Sequence, residues 1–330
     1  MRSRSKDTIT YWVVLGFVLL LNFVLPRLLP GGPIDFLEGG EDGPVFISDT
    51  QKAAMMAYYR LDESAGMQLV NYLKGIITFD FGHSFTYKMP VYDVIMSRLP
   101  WTLLIVGAAT VLSIIIGIAA GLVSAWRHTG DQDRGWFIAM ISVSTIPEFL
   151  TGMLFVLGLS VEWDLFPLGG AKTPFYAATG WWDHVLDVSW HAVLPIVTLT
   201  VANMAGIYLL MRNEAIQVLR GPFIEFALAK GVSRSALLVR HVLRYAILPV
   251  MTMIVVRLGG LLAGSVLVET VFSYPGIGHL LQEAILTRDY PLLHGLFVLM
   301  TIFVLLLNMT ADRVYPLLDP RIQTGKQGGA

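Results

Sequence analysis

Long apolar stretches alternate with polar connections along most of this sequence. A helix needs about 20 apolar residues to cross a bilayer, and six stretches meet that length. They lie at about 9–29, 101–126, 136–162, 191–212, 246–272 and 292–315. The pattern predicts an all-α integral membrane protein with six transmembrane helices. Basic residues precede the first stretch as in a signal peptide, but it is too long and lacks a small-x-small cleavage site, so we expect a retained anchor.

The distribution of lysine and arginine predicts orientation, because basic residues in short loops favour the cytoplasmic side. The short loops on one side contain only Lys172 and Arg288. The other side collects Arg2, Arg4, Lys6, Arg127, Arg134, Arg212, Arg220, Lys230, Arg234, Arg240, Arg244, Arg321 and Lys326. We therefore expect both termini and the 213–245 loop in the cytoplasm. Residues 1–322 then form a single transmembrane domain, and 323–330 is expected to be a disordered tail.

The long loop after the first helix, residues 30–98, is expected on the external side. Its segment QKAAMMAYYRLDESAGMQLVNYLKGIITF is patterned as amphipathic helices at the membrane surface, and MPVYDVIMSRLP as a turn and short helix. A loop of this length is usually functional or disordered, and its aromatic, patterned content favours order. It could cover the outer mouth of a pathway, provide a contact surface for an external binding protein, or do both.

The composition and the absence of known catalytic motifs exclude several classes of function. Hydrophobic residues make up 55% of the chain and charged residues 14%, and the net charge of -1 argues against nucleic acid as a partner. The absence of cysteine excludes disulfides, thiolate catalysis and cysteine-ligated metals. The seven histidines are dispersed, so we expect no metal site. The sequence has no GxxxxGK[ST], HExxH or GxSxG motif, which predicts a protein without an ATPase site or catalytic centre of its own.

The segment Gly221–Pro249 is the long connection that is both basic and helically patterned. Pro222 suits the first position of a helix, where its missing N–H costs nothing. Phe223–Lys230 is predicted to be a short helix that ends at Gly231 in a left-handed conformation. Ser233 could then cap a second helix by accepting a backbone N–H. The face expected to be apolar on that helix carries Leu238, Val242 and Tyr245.

This segment also carries a family resemblance. Glu225-Phe226-Ala227, three residues and then Gly231 resemble the cytoplasmic "EAA…G" loop of ABC-importer permeases, with Phe226 in place of a small residue. The continuation AKGVSRSALLVRHVLRYAILP is similar to the version found in dipeptide, oligopeptide and nickel permeases. The resemblance extends to LPGGP at 29–33, FDFGHSF at 79–85, LLAGSVLVETVFSYPGIG at 261–278, RDYP at 288–291 and DPRI at 319–322.

The resemblance implies a type I ABC-importer permease fold in the cytoplasmic (inner) membrane of a prokaryote. It implies as partners a second, homologous permease subunit, two cytoplasmic ATP-binding subunits and an external solute-binding protein. ATP would be bound by the partner subunits, with no cofactor in this chain. The residues that the resemblance assigns to coupling with the ATPases are Glu225, Phe226, Ala227, Lys230, Gly231, Val232 and Ser233. Peptides are the commonest cargo of such permeases, and nickel or another small solute is the alternative.

Polar residues inside the apolar stretches are candidates for the translocation pathway, because intramembrane charge is costly and usually faces a cavity or a partner. They are Glu148, Asn203, Arg257 and Glu269. Glu148 follows a helix breaker, Pro147, and could instead be a buried, protonated carboxyl. Arg257 could pair with Glu148 across helices or attract a carboxylate of the substrate, and both readings remain open.

Two other classes of membrane protein compete with the importer hypothesis. A self-sufficient secondary transporter or channel would be favoured by inverted repeats with paired broken helices, and the sequence shows no clear internal repeat. An intramembrane enzyme would need paired catalytic groups, which the sequence lacks.

Overall fold

The computed structural model describes residues 2–28, 48–58, 62–127, 131–176, 180–258 and 261–318. Within those ranges every regular element is helical, and no strand is present. The α-helices are α1 (Arg2–Val24), α2 (Asp49–Tyr58), α3 (Ala65–Thr78), α4 (Val91–Trp126), α5 (Asp131–Thr145), α6 (Glu148–Phe155), α7 (Trp181–Leu219), α8 (Pro222–Ala229), α9 (Arg234–Ala236), α10 (Leu243–Leu258), α11 (Leu261–Val271), α12 (Ile277–Leu286) and α13 (Tyr290–Leu318). A 3-10 turn covers Leu25–Leu28, and π-helical turns cover Val156–Glu162 and Leu237–Val242.

Four helices in the described ranges are long and apolar enough to cross a membrane. They span Val91–Trp126, Trp181–Leu219, Arg234–Ile254 and Tyr290–Thr310. The bent pair Asp133–Thr145 and Glu148–Glu162 makes a fifth if it forms one span, and Val13–Leu28 is a shorter apolar helix. An all-helical membrane protein is therefore confirmed. The count of six spans and the orientation of the termini stay predictions, and the tail at 323–330 lies outside the described residues.

The stretch predicted as a span at 136–162 is interrupted at the helix breaker Pro147, and its identity as a single span stays a prediction. Its two helices are bent by 100° at the break between Thr145 and Glu148. Pro147 lacks an N–H and disfavours helical geometry in the residue before it. Its own backbone is extended, with φ -55° and ψ 138°, where it starts α6.

The segment predicted to form amphipathic helices contains two helices, α2 and α3. The short helix predicted at the end of the expected loop is not separate, because Val91 begins a continuous helix of 36 residues that passes through Pro100. A proline inside a helix costs about 3 kcal/mol, and the apolar residues on both sides of Pro100 outweigh that cost. The last turns of the expected loop therefore belong to a long helix.

The chain divides into two compact units, Met1–Pro100 with His279–Leu305, and Trp101–Gly278 with Leu306–Ala330. The first has a small core around Phe23, Tyr72 and Val298. Two segments that carry the family resemblance also meet there, since Asp289, directly before α13, accepts hydrogen bonds from the Ser84 hydroxyl (2.5 Å) and the Thr86 N–H (3.0 Å). In the same unit, Glu283 accepts a hydrogen bond from the Tyr87 hydroxyl at 2.6 Å.

In the second unit, α4 and α7 pack with almost no space between their backbones. A Cβ added at Gly117 would lie 2.8 Å from Cβ of Ile207, and one added at Gly121 would lie 2.8 Å from Cβ of Met211. Glycine is required at both positions for this approach. The Gly117-x-x-x-Gly121 spacing therefore allows close packing of two helices within one subunit.

Candidate coupling surface and pathway residues

The helix α8 forms as the sequence predicts. Gly221 has extended backbone angles (φ -74°, ψ 140°) and Pro222 occupies the first helical position. Ile224 and Ala227 are buried, while the side chains of Glu225 and Phe226 are exposed. The helix is therefore amphipathic, with one face seated on the protein and the other open to a partner.

Gly231 ends α8 in the left-handed conformation that the sequence predicts, with φ +80°. The Gly231 N–H donates to the carbonyl of Leu228 (2.9 Å), and the Val232 N–H donates to the carbonyl of Ala227 (3.2 Å). These two bonds are the Schellman pattern, which satisfies the last carbonyls of a helix. A Cβ added at Gly231 would meet no atom within 4 Å, so the requirement for glycine comes from the backbone angle.

Ser233 begins the next helix, but its side chain makes no capping hydrogen bond, and that prediction is wrong. The backbone supplies the first bond instead, because the Leu237 N–H donates to the carbonyl of Ser233 at 2.9 Å. The helix then passes directly into the π-helical turn Leu237–Val242. Ser233 is therefore a cap by backbone conformation alone.

The buried face of this second helix also differs from the prediction. Leu237 and Val242 are both 0% exposed, and Tyr245 is 55% exposed with its ring 5.5 Å from that of Phe223. A π-helical turn takes one more residue than an α-helical turn. Since Val242 is buried as predicted and the spacing from Leu237 to Val242 is five residues, the turn places Leu237, rather than Leu238, in the interior. Ala246 follows Val242 at i+4 and is also buried.

The exposed large and charged side chains of α8 and of its C-cap, which we call the coupling surface, are Phe223, Glu225, Phe226, Leu228 and Lys230. Phe226 is 62% exposed, and the Lys230 ammonium lies 4.4 Å from the centre of its ring. The large side chain at this position therefore fits without displacing anything. Large apolar side chains exposed beside opposite charges on one short helix are typical of a protein-binding surface.

The buried face of α8 belongs to the main apolar cluster of the second unit. Ile224 and Ala227 share that cluster with residues from α4, α7 and the helix after Gly231, namely Leu122, Ala125, Ile207, Met211, Ala215, Leu237, Val242, Ala246, Val250 and Ile254. A force on the coupling surface therefore acts on a packed core, because close-packed interiors transmit strain.

The pathway candidates lie in different environments. Glu148 is half-buried in the first turn of α6, beside the 100° break. Asn203 is half-buried in α7, and its amide donates to the carbonyl of Leu199 at 2.8 Å. Arg257 belongs to α10, but its side chain lies outside the described part of the structure. Its pairing with Glu148 therefore stays a prediction.

Glu269 is 0% exposed, so its carboxylate does not face an open passage in this structure. One oxygen accepts from the Thr102 hydroxyl and the other from the Gly278 N–H, both at 2.7 Å. The Thr102 oxygen in turn accepts from the Ile277 N–H at 2.7 Å. Thr102 and Glu269 together cap α12, where a negative charge interacts favourably with the N-terminus of the helix.

The glycines of the SYPGIG motif leave room for this carboxylate. A Cβ added at Gly276 would lie 2.3 Å from Oε2 of Glu269, and one at Gly278 would lie 2.9 Å from it. Glu269 was predicted as a pathway residue, and its partner Thr102 was not predicted. The residues near Glu269 do not point to Thr102, because Thr102 lies 167 residues away from Glu269 in the sequence, in another apolar stretch.

A largely buried ion pair beside the coupling loop was not predicted. Arg212, expected only as a cytoplasmic charge, lies 2.5 Å from a carboxylate oxygen of Asp133. Asp133 lies in the first turn of α5, and Arg212 lies in the C-terminal part of α7. Opposite charges at the ends of successive apolar stretches are the signal that could have indicated it.

Comparison with known proteins identifies the class of protein. The family model described as "Binding-protein-dependent transport system inner membrane component" matches residues 113–324. The chain therefore belongs to this family of membrane permease components.

Individual relatives cover nearly the whole chain. It is 32% identical to the oligopeptide transport system permease protein AppB of Bacillus subtilis (strain 168), over 94% of this chain and 95% of the relative. It is 33% identical to the dipeptide transport system permease protein DppB of the same organism, over 96% and 97%. For DppB of Escherichia coli (strain K12) the identity is 30%, over 94% and 95%. The resemblance to dipeptide and oligopeptide permeases is confirmed.

Proposed function

We propose that this chain is a transmembrane permease subunit of an ATP-driven, binding-protein-dependent importer, with peptides as its cargo. It forms half of the translocation pathway, and a second, homologous permease subunit forms the other half. Two cytoplasmic ATP-binding subunits supply the energy, and an external solute-binding protein delivers the cargo. The names of the relatives support the peptide cargo, and the same machinery carrying nickel or another small solute is the alternative.

The observation that carries this proposal is the coupling surface, an amphipathic helix held on the core by buried residues and stopped by Gly231. ATP-driven closure of the ATPases displaces this surface and shifts the pathway between inward- and outward-facing states. The residues proposed to couple or to hold the surface in place are Glu225, Phe226, Ala227, Lys230, Gly231, Val232 and Ser233. The chain itself binds no ATP.

The proposed topology has six membrane spans, with both termini and the 213–245 loop in the cytoplasm and residues 30–98 outside. Residues 1–322 form one transmembrane domain in the cytoplasmic membrane of a prokaryote, followed by the tail at 323–330. The distribution of lysine and arginine supports this orientation. The bent pair α5–α6 counts as one span in this scheme, and the helix that includes Val13–Leu28 as another.

We propose Glu148, Asn203 and Arg257 as pathway residues. The half-buried position of Glu148 beside a broken helix supports its role, since irregular backbone at membrane depth usually lines a cavity. A peptide presents an ammonium and a carboxylate group, which suit Glu148 and Arg257 respectively. The burial and hydrogen bonds of Glu269 support a structural role for that residue instead.

The experiment is reconstitution of the complete complex in liposomes, with uptake of labelled trialanine measured with and without ATP. Gly231→Asp is expected to insert normally and to lose ATP-dependent uptake, because a side chain in the left-handed region costs about 1 kcal/mol or more and displaces the surface. Gly82→Asp is the matched control, since Gly82 also has positive φ (+77°) and no atom within 4 Å of an added Cβ.

Three results would contradict the proposal. Normal uptake by Gly231→Asp would remove the coupling role of the surface. Equal loss in Gly231→Asp and Gly82→Asp would indicate a general effect of backbone strain. Uptake by the isolated chain without ATP would favour a secondary transporter.

A further inference from the structure

A buried polar cluster connects three helices of the second unit. The Arg212 guanidinium donates through Nη2 to Oδ2 of Asp133 (2.5 Å) and through Nε to Oδ1 of the same carboxylate (3.3 Å). Nε also donates to the Ser124 hydroxyl at 3.1 Å. Ser124 in turn is hydrogen-bonded to Asp133 and, at 2.8 Å, to the Tyr208 hydroxyl. We call Arg212, Asp133, Ser124 and Tyr208 the polar tie.

Asp133, the residue of the polar tie on α5, lies on the inward face of that helix. Asp133, Phe137 and Met140 follow the i, i+4, i+7 spacing of one helical face, and α5 packs against α7. Asp133 is only 4% exposed, and the Arg212 guanidinium lies 4.7 Å from the centre of the Phe137 ring. The Asp133 carboxylate thus occupies a buried position on this face of α5 that an apolar side chain could also fill. Since apolar residues of similar volume often stabilise a fold as well as a buried ion pair does, stability alone does not account for it.

The polar tie adjoins the cluster that seats the coupling surface. On α4, Ser124 precedes Ala125, and on α7, Arg212 follows Met211; both neighbours pack in the cluster with Ile224 and Ala227 of α8. The bidentate pair therefore links α5 to the same helical turns that hold α8. The planar fork of arginine fixes the orientation of such a link, which a point charge cannot do.

The far end of α5 leads to the break at Pro147 and to Glu148 in α6. We propose that Arg212, Asp133 and Ser124 are positioning residues, which make the broken pair α5–α6 follow the coupling surface when the ATPases move it. This inference rests on the proposed function. The tie contacts no cargo, and it acts by fixing the position of the helix pair that bears Glu148.

The test measures trialanine imported per ATP hydrolysed by the complete complex in liposomes, together with its melting temperature in detergent. Arg212→Lys and Asp133→Asn are expected to retain ATP hydrolysis and to import about tenfold less peptide per ATP, within the range of 5- to 150-fold typical of coupling between sites. Arg134→Lys is the matched control, because Arg134 is exposed one residue from Asp133. It is expected to behave as wild type.

A double variant, Arg212→Met with Asp133→Leu, separates positioning from stability. It replaces the buried pair by apolar side chains, so its melting temperature is expected to match that of the wild type. The amount of peptide imported per ATP is expected to stay as low as in the single variants. Recovery of import per ATP in the double variant would overturn the inference, as would an unchanged ratio in the single variants. If the wild-type complex shows no ATP-dependent uptake, the proposed function itself fails.

Discussion

Removing the Thr102 hydroxyl from the cap on α12 should destabilise the protein, by an amount that follows from the hydrogen bonds that are lost. In Thr102→Val the side chain keeps its shape but loses the hydroxyl that donates to Glu269 and accepts from the Ile277 N–H. Both partners are buried. Leaving a buried polar group without its hydrogen bond costs about 1–3 kcal/mol, so the two together should cost about 2–6 kcal/mol.

The assay is thermal unfolding of the purified subunit in mild detergent, with Thr102→Ser as the variant that retains the hydroxyl. Thr110→Val is the matched control, since that hydroxyl of the same helix donates to the carbonyl of Val106. It should cost no more than about 1 kcal/mol, the net worth of one intramolecular hydrogen bond. If Thr102→Val unfolds at the temperature of Thr110→Val, the capping argument is refuted.

Two further substitutions test the proposed pathway residue Arg257 and the contact between Tyr87 and Glu283. Arg257→Gln is expected to spare assembly and to reduce uptake of trialanine more than that of its C-terminal amide; loss of assembly that a second change, Glu148→Gln, restores would mean that the two charges form a structural pair. Burial and the bond to Glu283 raise the pKa of Tyr87 to about 12, so its phenol keeps its proton and donates at neutral pH. Tyr87→Phe should therefore lower stability by about 1–2 kcal/mol, equally at about pH 6 and about pH 9 because both lie below the unfolded pKa of about 10; a loss that varies between these pH values would contradict it.

The features predicted correctly from sequence are those that a few neighbouring residues determine. Pro222 and Gly231 fix the start and end of α8 through their own backbone preferences. Apolar length alone was enough to indicate a helical membrane protein, while the number of its spans stays a prediction.

The features missed depend on partners that are distant in sequence or on a break in helical geometry. Glu269 is held by Thr102, and a single stretch of sequence shows only an acid near the end of an apolar run. The π-helical turn at Leu237–Val242 shifts the buried face by one residue, which a 3.6-residue period cannot reveal. Pro147 indicated a kink, but the 100° angle depends on how α6 packs against α7 and α11.

Docking of the coupling surface on an ATPase is the central claim, and the absence of cysteine from this chain makes it directly measurable. Glu225→Cys introduces one thiol on the exposed face of α8, and Ser64→Cys introduces one at an exposed position before α3. With benzophenone-maleimide, which attaches to the introduced thiol and on illumination bonds to a nearby C–H group, Glu225→Cys in the assembled complex is expected to form a cross-link to an ATP-binding subunit, with a yield that changes when ATP is added. Ser64→Cys is expected to form none. A Glu225→Cys complex that hydrolyses ATP and imports peptide but yields no such cross-link would contradict the account.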